Sequence, residues 1–244
     1  MAARDTDAYG RLIYDHYRGR TSAEVIERDD GWFGVSAGAP AYFAPFEAWP
    51  AHQRRAMRSV RGRTLDVGAG AGRVSLHLQA RGHDVVAIDA SPLAIRTCRL
   101  RGVRDARVLP LAGVSPKLGR FDTVVMLGNN FGLFGSPRRA RQLLRRLHAL
   151  TSARGRVVAE TRDPYRARSA DHRRYHERNQ RRGRPAGQIR MRVRWGRACT
   201  PWFDYLFVSP RELRAIVAGT GWRLAKAIRS DGPMYVAVLE KTAG

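Results

Sequence analysis

The chain has 244 residues, 43% of them hydrophobic and 27% charged, enough for one α/β domain with additions around a substantial core. Its net charge of +24 comes from 45 basic residues against 21 acids, and the basic residues are almost all Arg, with Lys only at Lys117, Lys226 and Lys241. No run of eighteen apolar residues is present, Met1–Asp7 lacks the apolar centre of a signal peptide, and Cys98 and Cys199 stand outside any Cys/His cluster, so no membrane span, disulfide framework or structural zinc is expected, and a cytoplasmic location is.

In chain order, the first 60 residues predict a helical, aromatic-rich cap. Helices are expected over 5–17, 22–29 and 50–60, whereas 31–34 and 41–50 are too interrupted by Gly and Pro for regular structure. From residue 64 short apolar runs alternate with helical patterns. Strands are predicted over 64–67, 84–89, 106–109, 121–127 and 156–161, with helices over 73–81, 92–101 and 137–150. Such alternation implies a parallel, doubly wound sheet with ligands at the carboxyl ends of its strands. In the last of these helices Ala140, Leu143, Leu144, Leu147 and Leu150 recur with helical period, and Arg138, Arg139, Arg141, Arg145 and Arg146 fall on the opposite, solvated face.

Residues 162–209 read as an insertion. It carries 12 Arg against Asp171 and Glu177 between Tyr165 and Arg197, a formal +10, with a polar helix over 170–182 and strands near 188–195 and 202–208. A helix over 210–220 and two strands flanking Ser230-Asp231-Gly232-Pro233 then predict a closing antiparallel hairpin. The expected fold is α/β: a seven-stranded, mostly parallel, Rossmann-like sheet ending in that hairpin. Its parts are a cap over 1–60, a core over 61–161, an insertion over 162–209 that serves as an acceptor lid, and a C-terminal completion over 210–244.

The most informative stretch is Thr64-Leu65-Asp66-Val67-Gly68-Ala69-Gly70-Ala71-Gly72-Arg73. A strand, a tight glycine loop and a helix start place backbone N–H groups around a cofactor. The glycine spacing is G-x-G-x-G, where a dinucleotide fingerprint has G-x-G-x-x-G, and Asp66 precedes the first glycine by two residues. This resembles the first motif of class I S-adenosylmethionine (SAM) methyltransferases. The resemblance implies that Asp66 holds the ammonium end of the methionine moiety and that Gly68, Gly70, Gly72 and Arg73 contact the cofactor. Asp89, ending the second strand, is placed to accept both ribose hydroxyls with Ala90 beside it, although NAD enzymes use the same device. Ser91-Pro92 then opens a helix as N-cap and first helical residue. Many relatives carry an acid after the third strand for the adenine amino group. Here that segment is Val108–Ser115 without an acid, so backbone and apolar contacts at Leu111 and Ala112 are expected to replace it.

After the fourth strand, Leu127-Gly128-Asn129-Asn130-Phe131 resembles the Gly-Asn-Ser-Phe segment of glycine and sarcosine N-methyltransferases and lacks the Asn/Asp-Pro-Pro-Tyr signature of amino-methylating DNA and glutamine enzymes. The resemblance puts this strand end beside the transferable methyl group. Leu127 and Asn129 are therefore expected at the cofactor, and Asn129 or Asn130 at the acceptor. One of the two asparagines is read as a turn residue, because Asn tolerates the left-handed conformation. Glu160 is the candidate general base best placed by sequence. His176, one helical turn from His172, is a second, although a solvated face of a polar helix is the reading its surroundings favour. Tyr42, Trp202 and Tyr205 are candidate acceptor contacts in an apolar lid, or equally core packing.

The leading expectation is a SAM-dependent methyltransferase acting on a small-molecule acceptor, an amine nitrogen before a hydroxyl. RNA or ribosome methylation is the alternative, supported by the +10 insertion with Tyr175 and Trp195 available for base stacking. A non-catalytic SAM-binding protein is the third. The Arg bias itself reads as the coding bias of a GC-rich genome. No metal and no membrane partner are expected.

Overall fold

The computed structural model describes residues 6–242 apart from 22 and 37. In chain order the elements are α1 (Ala8–Tyr17), β1 (Val25–Arg28), β2 (Phe33–Val35), α2 (Pro40–Phe43), α3 (Ala51–Met57), β3 (Thr64–Val67), α4 (Arg73–Ala80), β4 (Val85–Asp89), α5 (Pro92–Leu100), β5 (Asp105–Val108), β6 (Phe121–Met126), α6 (Pro137–Ala149), β7 (Thr151–Arg162), α7 (Ala170–Arg181), β8 (Gln188–Trp195), β9 (Ala198–Cys199), β10 (Phe203–Leu206), α8 (Pro210–Val217), β11 (Trp222–Arg229) and β12 (Met234–Lys241).

Seven strands form the main sheet in the order β11-β12-β7-β6-β3-β4-β5. The run from β7 to β5 is parallel, and the hairpin β11–β12 adds antiparallel to β7. The fold is therefore the mostly parallel, Rossmann-like α/β sheet that the alternation of patterns predicts. Side chains alternate across it with period two. Val124 and Met126 of β6 pack with Leu143, Leu144 and Leu147 of α6 and with Leu213 and Ile216 of α8. Val125, between them, packs on the opposite face with Met57 of α3 and with Val74 and Leu78 of α4. Strands β3 and β4 are buried along their whole length, as expected of a sheet covered on both faces.

The first 60 residues differ from expectation. The stretch predicted as a helix over 22–29 contains strand β1, and Phe33–Val35, read as irregular, forms β2. Val25 and Ile26 are β-branched, and the ladder that holds them is non-local: β1 pairs antiparallel with β8, 160 residues away in the chain, and with β2. Short helical turns occur at Pro40–Phe43 and Phe46–Ala48 within the stretch expected to be irregular. The result is a second, antiparallel sheet in the order β10-β8-β1-β2, with β9 on β8, assembled from the N-terminal segment and the insertion. Helix α1 packs beneath it: Ala8 and Leu12 meet Val193 and Trp195 of β8. Asp7 caps α1 through Gly10 N (3.0 Å) and also accepts from Ser91 Oγ (2.8 Å) and Leu93 N (3.3 Å), which ties α1 to the start of α5.

Candidate active site

A cavity of about 1060 Å³ runs between the carboxyl ends of the parallel strands and the inner face of the second sheet. At its floor, Gly68, Gly70 and Gly72 all have left-handed backbones, with φ of +71°, +58° and +77°. That conformation costs a residue with a Cβ. The loop is pinned from three directions. Gly68 N and Ala69 N donate to Ile88 O (2.8 and 3.1 Å), Gly70 N donates to Asp89 Oδ2 (3.0 Å), and Asn130 Nδ2 donates to Val67 O (3.0 Å) and Gly68 O (2.8 Å). Gly68 and Gly70 line the cavity. Gly72 does not: a Cβ there would lie 2.7 Å from Val103 Cγ2 and 3.1 Å from Cys98 Sγ, so this glycine serves the packing of α5, in place of the cofactor contact expected of it.

Two acids stand over the loop. Asp66 is buried and accepts from Ser75 Oγ (2.6 Å); burial pushes its carboxyl up to about 6, against the pull of Ser75 and Arg73. Burial raises Asp89 as well, although Ser91 N (2.9 Å) and Gly70 N favour its charged form. Each Asp89 oxygen accepts one backbone bond and keeps a lone pair for a hydroxyl. Ala90, Leu109, Pro110 and Leu111 continue the wall beyond it. Ala112, expected here, is instead exposed and outside the cavity, with its carbonyl accepting from Arg146 Nη1 (2.9 Å).

The end of β6 carries the tightest polar network. Glu160 is fully buried and accepts from His52 Nε2 (2.6 Å), Gln53 Nε2 (2.9 Å to each oxygen), Gly128 N (2.7 Å) and Asn129 N (3.1 Å). Burial alone would raise this carboxyl, but His52, Gln53 and the Asn129 N–H hold it below the ordinary range. A carboxylate so stabilised in its charged form is a poor proton acceptor, so the general-base role expected of Glu160 gives way to an anchor for the Gly128–Asn129 turn. Gln53, which sequence reading passed over, also accepts from Arg73 Nη2 (2.9 Å), whose guanidinium lies 4.6 Å from the Trp49 ring.

The two asparagines divide the duties expected of them. Asn129 is the one non-glycine residue with positive φ among the described residues (+66°), and its carbonyl accepts from Tyr205 Oη (2.8 Å). The residue lines the cavity, and its Oδ1 is buried without a hydrogen-bond partner. Asn130 lines the cavity too, but its amide is spent on the glycine loop, which corrects its expected role as an acceptor contact. A buried, unpaired carbonyl oxygen beside an acid-guarded glycine cradle is a site short of one polar partner.

Residues 64–155 match a family model described as a methyltransferase domain. A SAM-dependent methyltransferase from Bacteroides fragilis, solved in complex with S-adenosyl-L-homocysteine, superposes with a TM-score of 0.82 at 25% identity, covering 100% of this chain and 98% of that one. This chain is a class I SAM-dependent methyltransferase. The CcbJ methyltransferase from Streptomyces caelestis has the same fold, with a TM-score of 0.64 at 17% identity over 98% of this chain and 100% of that one. So does CalS10, an amino pentose methyltransferase from Micromonospora echinaspora solved with SAM bound, with a TM-score of 0.55 at 19% identity over 81% and 94% of the two chains. The cofactor is S-adenosylmethionine, and the buried Asp66, the paired lone pairs of Asp89 and the glycine cradle suit its ammonium and ribose ends.

The methyltransferase closes its cavity with the second sheet. Ile189, Met191 and Val193 of β8 line it, as do Phe203 and Tyr205 of β10 with Phe207 beyond, while Arg190, Arg192 and Arg194 alternate outward. Arg192 holds Glu27 of β1 through two bonds of 2.7 Å, and Arg194 adds a third at 2.6 Å. Tyr42 lies on the cavity edge to face with Tyr9, ring centroids 5.3 Å apart. Trp202 does not reach the cavity and lies under the Arg192 guanidinium (4.5 Å), on the outer side, which corrects its expected acceptor contact. His172 and His176 both line the cavity in place of the solvated face their surroundings in sequence favoured. His176 is buried, and burial together with His172 and Arg28 pulls its pKa down to about 4, so it is neutral near pH 7. The alternation within 189–193 and 203–207 was the available signal for the roof; nothing local marks Gln53, or Arg162 at the end of β7, which also lines the cavity, because both depend on tertiary placement.

Proposed function

We propose that this methyltransferase transfers the methyl group to a nitrogen of a small-molecule acceptor, held between the end of β6 and the roof sheet. The observation that carries the reading is Asn129, which lines a mostly apolar cavity and whose buried Oδ1 has no hydrogen-bond partner in the protein. A side-chain carbonyl accepts an N–H and so orients a neutral amine, whose lone pair needs no proton removed before it attacks. When bound, SAM supplies a sulfonium-activated methyl carbon. The protein's part is placement: Asp66 and Asp89 fix the two ends of the cofactor, and Glu160 and Tyr205 hold the Asn129 turn rigid on both sides. The acceptor nitrogen would bond to the methyl carbon as the carbon–sulfur bond breaks, with S-adenosylhomocysteine as the leaving group. Alignment of this kind supplies on the order of 7–11 kcal/mol in favourable cases. His176, whose pKa burial pulls down to about 4, is as poor a proton acceptor as Glu160, so the product ammonium sheds its proton to solvent.

Small-molecule methylation also fits the outward direction of the β8 arginines, since the face they leave at the cavity is apolar. Incubation with methyl-labelled SAM and two separate pools, a small-metabolite extract of the source cells and total RNA, tests the reading, with the Asp66→Ala, Asp89→Ala double variant as control. Label in an N-methylated metabolite is expected. Label in RNA overturns the proposal and makes the basic outer face a recognition surface.

A further inference from the structure

The roof has one charged intruder at its outer end. Arg28, on the inner face of β1, is buried and lines the cavity. Its own needs are met: Nε and Nη2 bind Asp30 (2.7 and 2.8 Å), and Nη1 lies 3.0 Å from His172 Nδ1. A guanidinium can only donate, so His172 Nδ1 accepts, and the neutral ring carries its proton on Nε2. Arg28 therefore turns His172 into a fixed N–H donor at the cavity wall. The Trp32 ring, 5.0 Å away, holds the imidazole from another side.

Arg162 faces the same space. It is the last residue of β7, two residues beyond Glu160 and so on the same side of the strand, about 7 Å further out. Its Nε is buried without a hydrogen-bond partner, and no carboxylate among the described residues pairs with it; the Phe207 ring lies 5.9 Å away, and His172 and His176 are near enough to feel its charge. Arg168 stands exposed at the rim. The cavity's carboxylates lie elsewhere: Asp66, Asp89 and Glu160 on the floor, and Glu24 beside Ser36, where burial raises it. A half-buried guanidinium with no counter-charge is costly unless a ligand supplies one.

We propose that the outer end of the cavity binds an anionic group of the acceptor, a carboxylate or a phosphate monoester, through the Arg162 guanidinium and the His172 Nε2–H, with Arg168 at the entrance. This rests on the small-molecule acceptor reading above and narrows it: the acceptor carries its anion at one end, near Arg162, and the methylated atom at the other, near Asn129. Arg162 is the specificity-determining residue, because a planar fork matches a two-oxygen anion.

A ligand-observed NMR titration of the protein loaded with S-adenosylhomocysteine, using benzoate, phenyl phosphate and the neutral benzamide, tests the assignment. At least one anion is expected to bind tenfold or more tighter than benzamide, and the two anion arms separate carboxylate from phosphate. Arg162→Gln is expected to abolish the preference, Arg162→Lys to retain part of it, and both to bind S-adenosylhomocysteine as before, which reports that the fold is kept. Equal binding of all three probes, no binding of either anion, or an unchanged preference in Arg162→Gln overturns the proposal. The titration needs no turnover, so an acceptor that proves not to be an amine leaves this result readable, and the converse holds for the labelling experiment.

Discussion

Asp66 and Glu160 are both buried carboxyls on the cavity that the glycine loop borders, yet their surroundings drive them in opposite directions. Asp66 has little to offset burial and sits at about 6. Its charged form, which an ammonium group needs, predominates above that pH and is lost below it. Affinity for S-adenosylhomocysteine is therefore expected to be flat above pH 7 and to fall by up to tenfold per pH unit below about 6. Asp66→Asn should bind weakly at every pH and flatten that slope, and calorimetry across pH 5–8 checks both. Glu160 has five hydrogen-bond contacts from four donor groups and is held in its charged form. Glu160→Gln places an amide N–H against these donors, so a stability loss of about 3 kcal/mol is expected, visible as a lower unfolding midpoint even without cofactor. A general base would give the contrary pattern, with the midpoint intact and only turnover lost.

At the level of elements, helix α1 packs by its apolar face and is tied to α5 by one aspartate, Asp7, that caps its own first turn and reaches across. Asp7→Ala is expected to cost about 1 kcal/mol for the cap alone. The larger effect should be local: hydrogen exchange across 8–17 should quicken, with β3, β4 and β6 unchanged. The same comparison of local and distant contacts explains what could be read in advance. The parallel core was legible because each strand is a short apolar run and each helix has its own period, as in 64–89 and 137–150. Strands 188–195 and 222–229 were legible by alternation. Strand β1 was not, since four residues flanked by Glu24 and Asp29 show no period of their own, and the partner that makes them a strand lies near residue 190. At the site, the motif-bearing residues of the glycine loop and both asparagines were legible. Their division of labour was not, because it depends on which amide reaches Val67 and which carbonyl oxygen is left over.

For the whole molecule, the arginine excess has a structural use. Arg99 donates twice to Ala106 O (3.1 and 2.7 Å), Arg63 to Leu118 O (3.1 Å) and Arg156 to Ser59 O (3.1 Å). Along α6, Arg141 reaches Ala215 O (3.0 Å), Arg145 reaches Gly219 O (3.4 Å) and Arg146 reaches Ala112 O (2.9 Å). These fan-shaped donors fasten loops and helix ends to one another, where a compact ammonium group reaches fewer carbonyls at once. Replacing Arg141, Arg145 and Arg146 together by Lys keeps the net charge and should still lower stability by about 1–2 kcal/mol, read by denaturant unfolding. Guanidinium groups spent this way are also poorly placed to track a phosphate backbone.

The roof over the cavity is a sheet whose strands come from two places, residues 25–35 and 188–206, joined along the ladder between Val25–Arg28 and Met191–Arg194. Neither stretch can be exchanged with a relative's on its own. A graft of the insertion alone would set a foreign β8 against the resident β1, with Glu27 facing whatever replaced Arg192. Changing what this enzyme accepts by recombination, whether in a laboratory or over generations, therefore requires two crossovers flanking an untouched cofactor-binding middle, and chimeras with one should misfold at the roof while keeping the floor.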